Sequence, residues 1–306
     1  MNPFSTPRGP PPPDDPSSSP TLHSSPKGVL PYMKLSRLPW KWINPIAYII
    51  MVVINILANV IPFGGMTTGE IATLFPTPLT PAPITFAIWG VIYVTLFIPV
   101  FYQINDKTGY GADYAAAIGP WFLFSCVANI AWIFSWHARA MTPAMLAMVL
   151  LLCSLFLLKR RLDDPLAEWS NRWYLRLPIG LYTGWITVAT LSNVSVWLKS
   201  LNFNAFGLPS GLVQVIVLLI GGAILTLAIL LNHDPWYAIA AIWGYAGLLI
   251  RHLSPVFLAG TYPWTVFALF LCEAAFILSL AWLILGHFSV TRGCCPAYDP
   301  ARNDID

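Results

Sequence analysis

The residues Trp185, Ala189, Thr190, Asn193 and Trp197 lie within one apolar segment that is long enough to cross a bilayer. Positions 185, 189, 193 and 197 step by four, so a helix places them along one slowly drifting face. That face carries two indoles and an amide, whose polar groups lipid cannot satisfy. We therefore expect it to look into a cavity or a packed bundle inside the membrane.

Two further apolar segments carry aromatic stripes at helical spacing. Phe86, Trp89 and Tyr93 fall at i, i+3 and i+7, which is one face of a helix. The same spacing recurs in a second set, namely Asn129, Trp132 and Trp136. Indoles can stack on a planar conjugated ring, and a few amide donors can orient it. The three stripes together predict an aromatic, weakly polar pocket between helices.

The composition indicates what class of protein holds these residues. The chain of 306 residues is 57% hydrophobic and only 9% charged, whereas soluble domains carry about 25% charged residues. This balance predicts an all-α integral membrane protein. A net charge of +3 gives no support to nucleic-acid binding, and no histidines and cysteines have the spacing of a metal site.

About eight transmembrane helices are predicted from apolar runs of roughly 20 residues. Residues 1–40 form a Pro/Ser-rich tail that cannot build a packed core, and 289–306 form a second tail. The run 235–251 is the shortest. The expected spans are 43–62, 83–103, 119–137, 141–159, 174–198, 211–231, 235–251 and 263–287.

The connection formed by residues 62–83 contains several glycines and prolines, among them Gly64, Gly65 and Pro81. Such a segment is predicted to be too broken for a helix. We expect it to lie over the mouth of the pocket as a lid.

The basic residues predict the orientation. If the N-terminus is cytoplasmic, most of the 16 Lys and Arg residues fall on the cytoplasmic side, and only Arg139, Lys199 and Arg251 fall opposite. The positive-inside rule then places both termini in the cytoplasm. The sequence does not indicate which membrane the chain occupies.

These residues carry a family resemblance. The segment TPAPITFAIWGVIY (80–93) resembles the second span of the TspO/MBR family, the tryptophan-rich sensory proteins. NIAWIFSW (129–136) resembles the third span of that family, and WITVATLSNVSVW (185–197) resembles the fifth. The last match is the most specific. The spans after residue 202 have no counterpart in the compact five-helix form of the family.

The resemblance implies a five-helix bundle over residues 43–202, followed by three additional helices within 203–288. It also implies that the bundle binds a flat hydrophobic ligand, such as a porphyrin, haem or a sterol, beneath the first loop, for transport or sensing. We further consider a homodimer. The residues expected to bind the ligand are Phe86, Trp89, Tyr93, Asn129, Trp132, Trp185, Asn193 and Trp197.

Other interpretations stay open at this point. Aromatic stripes often serve helix packing, and a buried Asn often joins helices by a hydrogen bond. Glu273 is an intramembrane carboxyl, so an integral-membrane cyclase or isomerase could use it as the acid on an isoprenoid-type substrate. A proton-coupled transporter using Glu273 ranks below that. His137 could ligate haem iron, although an interfacial histidine is the simpler interpretation.

Overall fold

The computed structural model describes residues 39–293 except 76, 108 and 164–171, with the side chains of 206 and 287–293 also left undescribed. The described part is helical. Its α-helices are α1 (Trp40–Val60), α2 (Thr68–Leu74), α3 (Ile88–Asn105), α4 (Tyr110–His137), α5 (Met141–Leu162), α6 (Trp173–Ser200), α7 (Ser210–Asn232), α8 (Pro235–Leu253) and α9 (Pro263–Gly293). The all-α membrane fold expected from the composition is confirmed. The tails predicted at 1–40 and 289–306 lie almost wholly outside the described residues.

Six of the helices are long and apolar enough to cross a membrane, namely α1, α3 extended to Pro83, α4, α5, α7 and α9. The predicted spans at 174–198 and 235–251 correspond to α6 and α8, which are long enough but fall outside this set. These two helices pack against each other. Small residues line their contact, since Gly184 of α6 lies directly against Tyr237 and Ala240 of α8. A helix surrounded by protein does not need the continuous apolar surface that a lipid-facing helix needs.

The helices form two adjoining cores. The larger core is built from α1 to α6, with α4 and α5 paired as a hairpin through a short turn in which Arg139 adopts a positive φ of 57°. The smaller core joins α7, α8 and α9, and it also takes in Val188 of α6. This arrangement places α6 and α8 at the boundary between the two cores.

A buried ion pair fixes the start of α8 against the end of α5. Lys159 Nζ lies 2.6 Å from Asp234 Oδ2, and both side chains are at most 5% exposed. Asp234 also caps α8, because its other carboxylate oxygen accepts from the backbone N–H groups of Trp236 and Tyr237. One carboxylate therefore serves both the helix cap and the contact between the two cores.

Residues 61–87, which we call the lid, contain one helix that the sequence prediction excluded. α2 runs over Thr68–Leu74, so the expectation that this connection is too broken for a helix is wrong for these residues. Thr67 and Glu70 form a capping box, in which each side chain accepts from the other residue's backbone N–H. This box satisfies two backbone N–H groups at the start of the helix, where amides otherwise lack partners within the helix. The Thr-x-x-Glu signature was readable in the sequence.

Candidate functional site

A cavity lies beneath the lid, and five of its 14 lining residues are aromatic. Residues from the lid close one side, including Ala72, Thr80 and Pro81. We call it the aromatic cavity. The residues that define its ring-lined walls are Phe86, Trp89, Trp132, Trp136 and Trp185, with Asn193 beside them.

The rings around Trp89 are packed in the offset and edge-to-face arrangements that aromatic pairs prefer. Trp89 stacks on Tyr93 at a centroid distance of 5.4 Å and meets the edges of Tyr182 and Trp185 at 5.7 and 6.2 Å. Its near-parallel contact with Trp132 is at 6.3 Å. Residues of α3, α4 and α6 thus meet in one cluster, as the spacing of the stripes predicted.

The asparagines of this region are engaged in contacts between helices. The indole N–H of Trp132 donates to Asn193 Oδ1 at 3.0 Å, and the Asn193 amide donates to the backbone oxygen of Ala189. Asn129 Oδ1 accepts from Asn55 at 2.6 Å, while its amide donates to the hydroxyl of Tyr182. These bonds correspond to the interhelical role that was one of the open interpretations of a buried Asn.

One buried donor at the cavity remains unused. The indole nitrogen of Trp185 is inaccessible and has no hydrogen-bond partner among the described residues, and the side chain is only 1% exposed. Trp185 lines the aromatic cavity. A buried N–H without an acceptor costs about 1–3 kcal/mol, so native structures rarely leave one unpaired.

The structure brings five of the eight predicted residues to the cavity wall, and the other three do not line it. Phe86, Trp89, Trp132, Trp185 and Asn193 line the cavity. Of the other three, Tyr93 stacks on Trp89, Asn129 joins three helices, and Trp197 donates to the hydroxyl of Thr142.

Several cavity residues were not among the predicted ligand-binding set. Trp136 stacks on Trp132, and Ala189 lies one turn before Asn193; both belong to the stripes that the sequence showed. Met148 of α5, by contrast, carries no sequence signal, because one methionine in an apolar helix resembles ordinary core.

The lid is held to the end of α4 by two neighbouring residues. The indole N–H of Trp136 donates to the backbone oxygen of Thr68 at 3.1 Å. His137 Nδ1 lies 3.0 Å from the backbone oxygen of Phe63, and Nε2 lies 3.2 Å from the Thr68 hydroxyl. A carbonyl can only accept, so Nδ1 carries a proton and Nε2 faces the hydroxyl. Because both ring nitrogens are engaged, His137 does not fit as a haem-iron ligand in this conformation.

The aromatic cavity is small when the lid is in this position. Its volume is about 30 Å³, which is room for about two water molecules. Pockets that hold drug-sized ligands measure roughly 300–1,000 Å³. A porphyrin or a sterol therefore requires the lid or the side chains beneath it to move.

Glu273 lies apart from this site. It belongs to α9, is 8% exposed, and has no hydrogen-bond partner for either carboxylate oxygen in the described part of the chain. Neither Arg251 nor His252 forms an ion pair with it. Glu273 does not line the aromatic cavity.

The fold and the site together define a polytopic helical membrane protein with a lidded aromatic cavity. The family model for TSPO-like proteins matches residues 41–284, and the chain therefore belongs to this family. The match confirms the resemblance found in the aromatic segments, and it also runs through the three additional helices. Searches of curated proteins and of solved structures gave no significant match.

Proposed function

We propose that this protein binds a hydrophobic, largely planar ligand, such as a porphyrin or a sterol, in the aromatic cavity. Binding there keeps the ligand out of water and serves its transport or sensing. The observation that carries the proposal is the unused indole N–H of Trp185 in a wall made of aromatic rings. A ligand that stacks on those rings and offers one acceptor, such as a carbonyl, hydroxyl or carboxylate oxygen, satisfies this donor.

The engaged asparagines sharpen the ligand chemistry. The Asn193 and Asn129 amides already donate and accept within the protein, so they stabilise the cavity wall and do not orient the ligand. We therefore propose that the buried indole N–H of Trp185 donates a hydrogen bond to the polar group of the ligand. We expect affinity to depend on the apolar area of the ligand and on one correctly placed acceptor.

Ligand entry requires the cavity to open. The contacts of Trp136 and His137 with the lid are a few hydrogen bonds, each of which contributes only about 0.5–1.5 kcal/mol net. Such a closure can open on the timescale of lid motions, microseconds to milliseconds. We propose that the lid rises from α4 when a ligand enters.

The proposal also covers the orientation of the chain in the membrane and its assembly. We propose that both termini face the cytoplasm, with Lys159, Arg160 and Arg161 at the end of α5 on that side. The homodimer stays a prediction on which the described contacts do not bear.

The direct test is to measure protoporphyrin IX binding by the purified protein in lipid nanodiscs, and to compare it with a variant whose cavity is filled. Ala189→Leu adds three carbon atoms to the cavity wall, whereas Ala223→Leu makes the same change on an exposed position of α7. We expect saturable binding by the native protein, binding reduced at least tenfold by Ala189→Leu, and no change with Ala223→Leu. Equal loss in both variants, or none in Ala189→Leu, would place any bound ligand elsewhere. Cholesterol is tested in the same way by competition.

A further inference from the structure

The lid has a second attachment, made by one of the three additional helices. Residues 79–85 of the lid, which we call the wall segment, contribute Thr80 and Pro81 to the aromatic cavity. The turn Pro83–Ala87, which begins within this segment, contacts α8. The position of the wall segment therefore depends on a helix outside the predicted five-helix bundle.

Three hydrogen bonds hold the wall segment. The backbone N–H of Ala82 donates to the backbone oxygen of Gly247 at 3.0 Å, and the indole N–H of Trp243 donates to the backbone oxygen of Thr85 at 2.8 Å. From α6, the hydroxyl of Ser192 donates to the backbone oxygen of Leu79 at 2.7 Å. The two bonds from α8 engage main-chain groups, so they fix the path of the backbone more than any one side chain.

The packing at Gly247 leaves no space between α8 and the wall segment. A methyl group at position 247 would overlap the hydroxyl oxygen of Thr85 and would lie 2.8 Å from Thr85 Cβ. Real Cβ atoms essentially never approach other heavy atoms so closely. The glycine thus allows the backbone of α8 to contact the wall segment directly, as close helix contacts in membranes require.

α8 is itself held firmly enough to serve as this support. Its first turn is tied to α5 by the buried pair of Asp234 and Lys159, and its middle packs on α6 through Gly244, which lies against Val188. The helix spans from that ion pair to the wall segment over Pro235–Leu253. We therefore expect a displacement of the wall segment to break its hydrogen bonds to α8, while α8 itself stays in place.

We infer that Trp243 and Gly247 of α8 position the wall segment, so that α8 sets how readily this side of the aromatic cavity yields to a ligand. The inference rests on the proposed function for its ligand, but its structural part concerns the unliganded protein. Trp243 and Gly247 are positioning residues, since they act on the cavity through residues 79–85.

The first test measures backbone amide hydrogen exchange of residues 77–87 in nanodiscs without ligand. Trp243→Phe removes one donor and keeps an aromatic ring, and we expect exchange in this segment to become roughly fivefold faster, as the loss of one ordinary hydrogen bond implies. Trp264→Phe makes the same change on a 75% exposed residue of α9 and should leave this segment unchanged. Unchanged exchange in Trp243→Phe would overturn the inference.

A second pair of variants tests the close contact. Gly247→Ala should also speed exchange of residues 77–87, and adding Thr85→Ala should return it part of the way, because this removes the overlapping hydroxyl. Gly90→Ala is the matched control, since a methyl group there meets no neighbouring atom. Equal exchange in Gly247→Ala and Gly90→Ala would contradict a positioning role for Gly247.

The ligand measurement separates this inference from the proposed function. In Trp243→Phe, the association rate of protoporphyrin IX should rise by a factor similar to the change in exchange, whereas a merely structural role would leave that rate unaltered. If the native protein binds no protoporphyrin IX or cholesterol, the proposed function fails, and the exchange data still decide whether α8 holds the wall segment. If the ligand binds but its association rate is the same in the native protein and in both α8 variants, the inference about ligand entry is wrong, while the proposed function still stands.

Discussion

The indole N–H of Trp132 donates to the side-chain oxygen of Asn193 at 3.0 Å, and this bond joins α4 to α6 at the wall of the aromatic cavity. Both residues were expected to bind a ligand, and both line the cavity. Because this N–H and this oxygen bond to each other, their role is to hold the cavity wall together. The surfaces that the two residues offer to the cavity are then mainly apolar. Under the proposed function, a ligand in the cavity would therefore contact mainly aromatic rings.

This bond should be measurable as a coupling energy. Asn193→Ala leaves the Trp132 indole without an acceptor, and we expect it to lower the free energy of unfolding by about 1 kcal/mol, in the range for hydrogen bonds between membrane helices. In a double-mutant cycle with Trp132→Phe, the two losses should not add, since either change removes the same bond. Unfolding measured by steric trapping in bicelles provides the energies. Fully additive losses would show that the two residues act independently.

A second prediction concerns the buried pair that fixes α8. Lys159→Met leaves the carboxylate of Asp234 buried without its cation, and breaking a buried pair in this way costs about 3–5 kcal/mol. Adding Asp234→Asn should recover much of this loss, because asparagine is neutral and still caps the helix. Thermal unfolding of both variants in detergent tests this, and Arg160→Met, at an exposed position of α5, is the control. A double variant no more stable than Lys159→Met would contradict it.

The prediction for the lid concerns His137. His137→Ala removes the contacts with Phe63 and Thr68, so we expect amide exchange over residues 63–75 to become several-fold faster. Thr68→Val removes only the hydroxyl contact and should have a smaller effect. The exchange of residues 79–85 should change little in either variant, since that part of the lid is bonded to α6 and α8. Equal acceleration along the whole lid would instead indicate that it opens as one piece.

Acid should loosen α2. The backbone N–H of Thr67, followed by its hydroxyl, holds the pKa of Glu70 below its ordinary value of 4.5. A lowered pKa in the folded state means that this carboxylate stabilises α2 above pH 4.5 and that the contribution is lost as the pH falls through the lowered value. Amide exchange of residues 67–74, corrected for the intrinsic effect of pH, should therefore show extra opening when the pH is lowered well below 4.5. Glu70→Gln keeps a capping side chain without the titration, so its exchange should not gain this extra opening.

The helical fold and the aromatic cluster could both be predicted from the sequence. Indoles at steps of three and four on apolar helices have to avoid lipid, which predicted that Trp89, Trp132 and Trp185 would meet. The sequence could not predict that Asn129 bonds to Asn55 and Tyr182 or that Asn193 bonds to Trp132, since a free amide and a bonded amide have the same sequence pattern. Nor could spacing reveal that Gly247 contacts Thr85, because this contact joins residues far apart in the chain across a helix boundary.

α6 and α8 show what the apolar pattern could and could not predict. Both were predicted as spans, and the structure has helices of 28 and 19 residues there, with many of their residues buried in protein. Hydropathy reports contact with lipid, whereas these helices are stabilised by contact with each other and with their neighbours. The short α2 was not predicted because the flanking glycines and prolines suggested an irregular segment. Its stability comes from the capping box of Thr67 and Glu70.

The most direct test of the central claim concerns the buried indole N–H of Trp185, which has no partner among the described residues. Replacing Trp185 by benzothienylalanine keeps the size of the ring and substitutes a sulfur atom for the N–H group, so packing is preserved and only the donor is lost. Calorimetric titration with protoporphyrin IX and with cholesterol should give a Kd about five- to tenfold higher than for the native protein, which corresponds to one net hydrogen bond. The same replacement of Trp42, which is 56% exposed on α1, should leave the Kd unchanged. A Kd that is the same with and without the Trp185 N–H would contradict the proposal that this donor recognises the ligand.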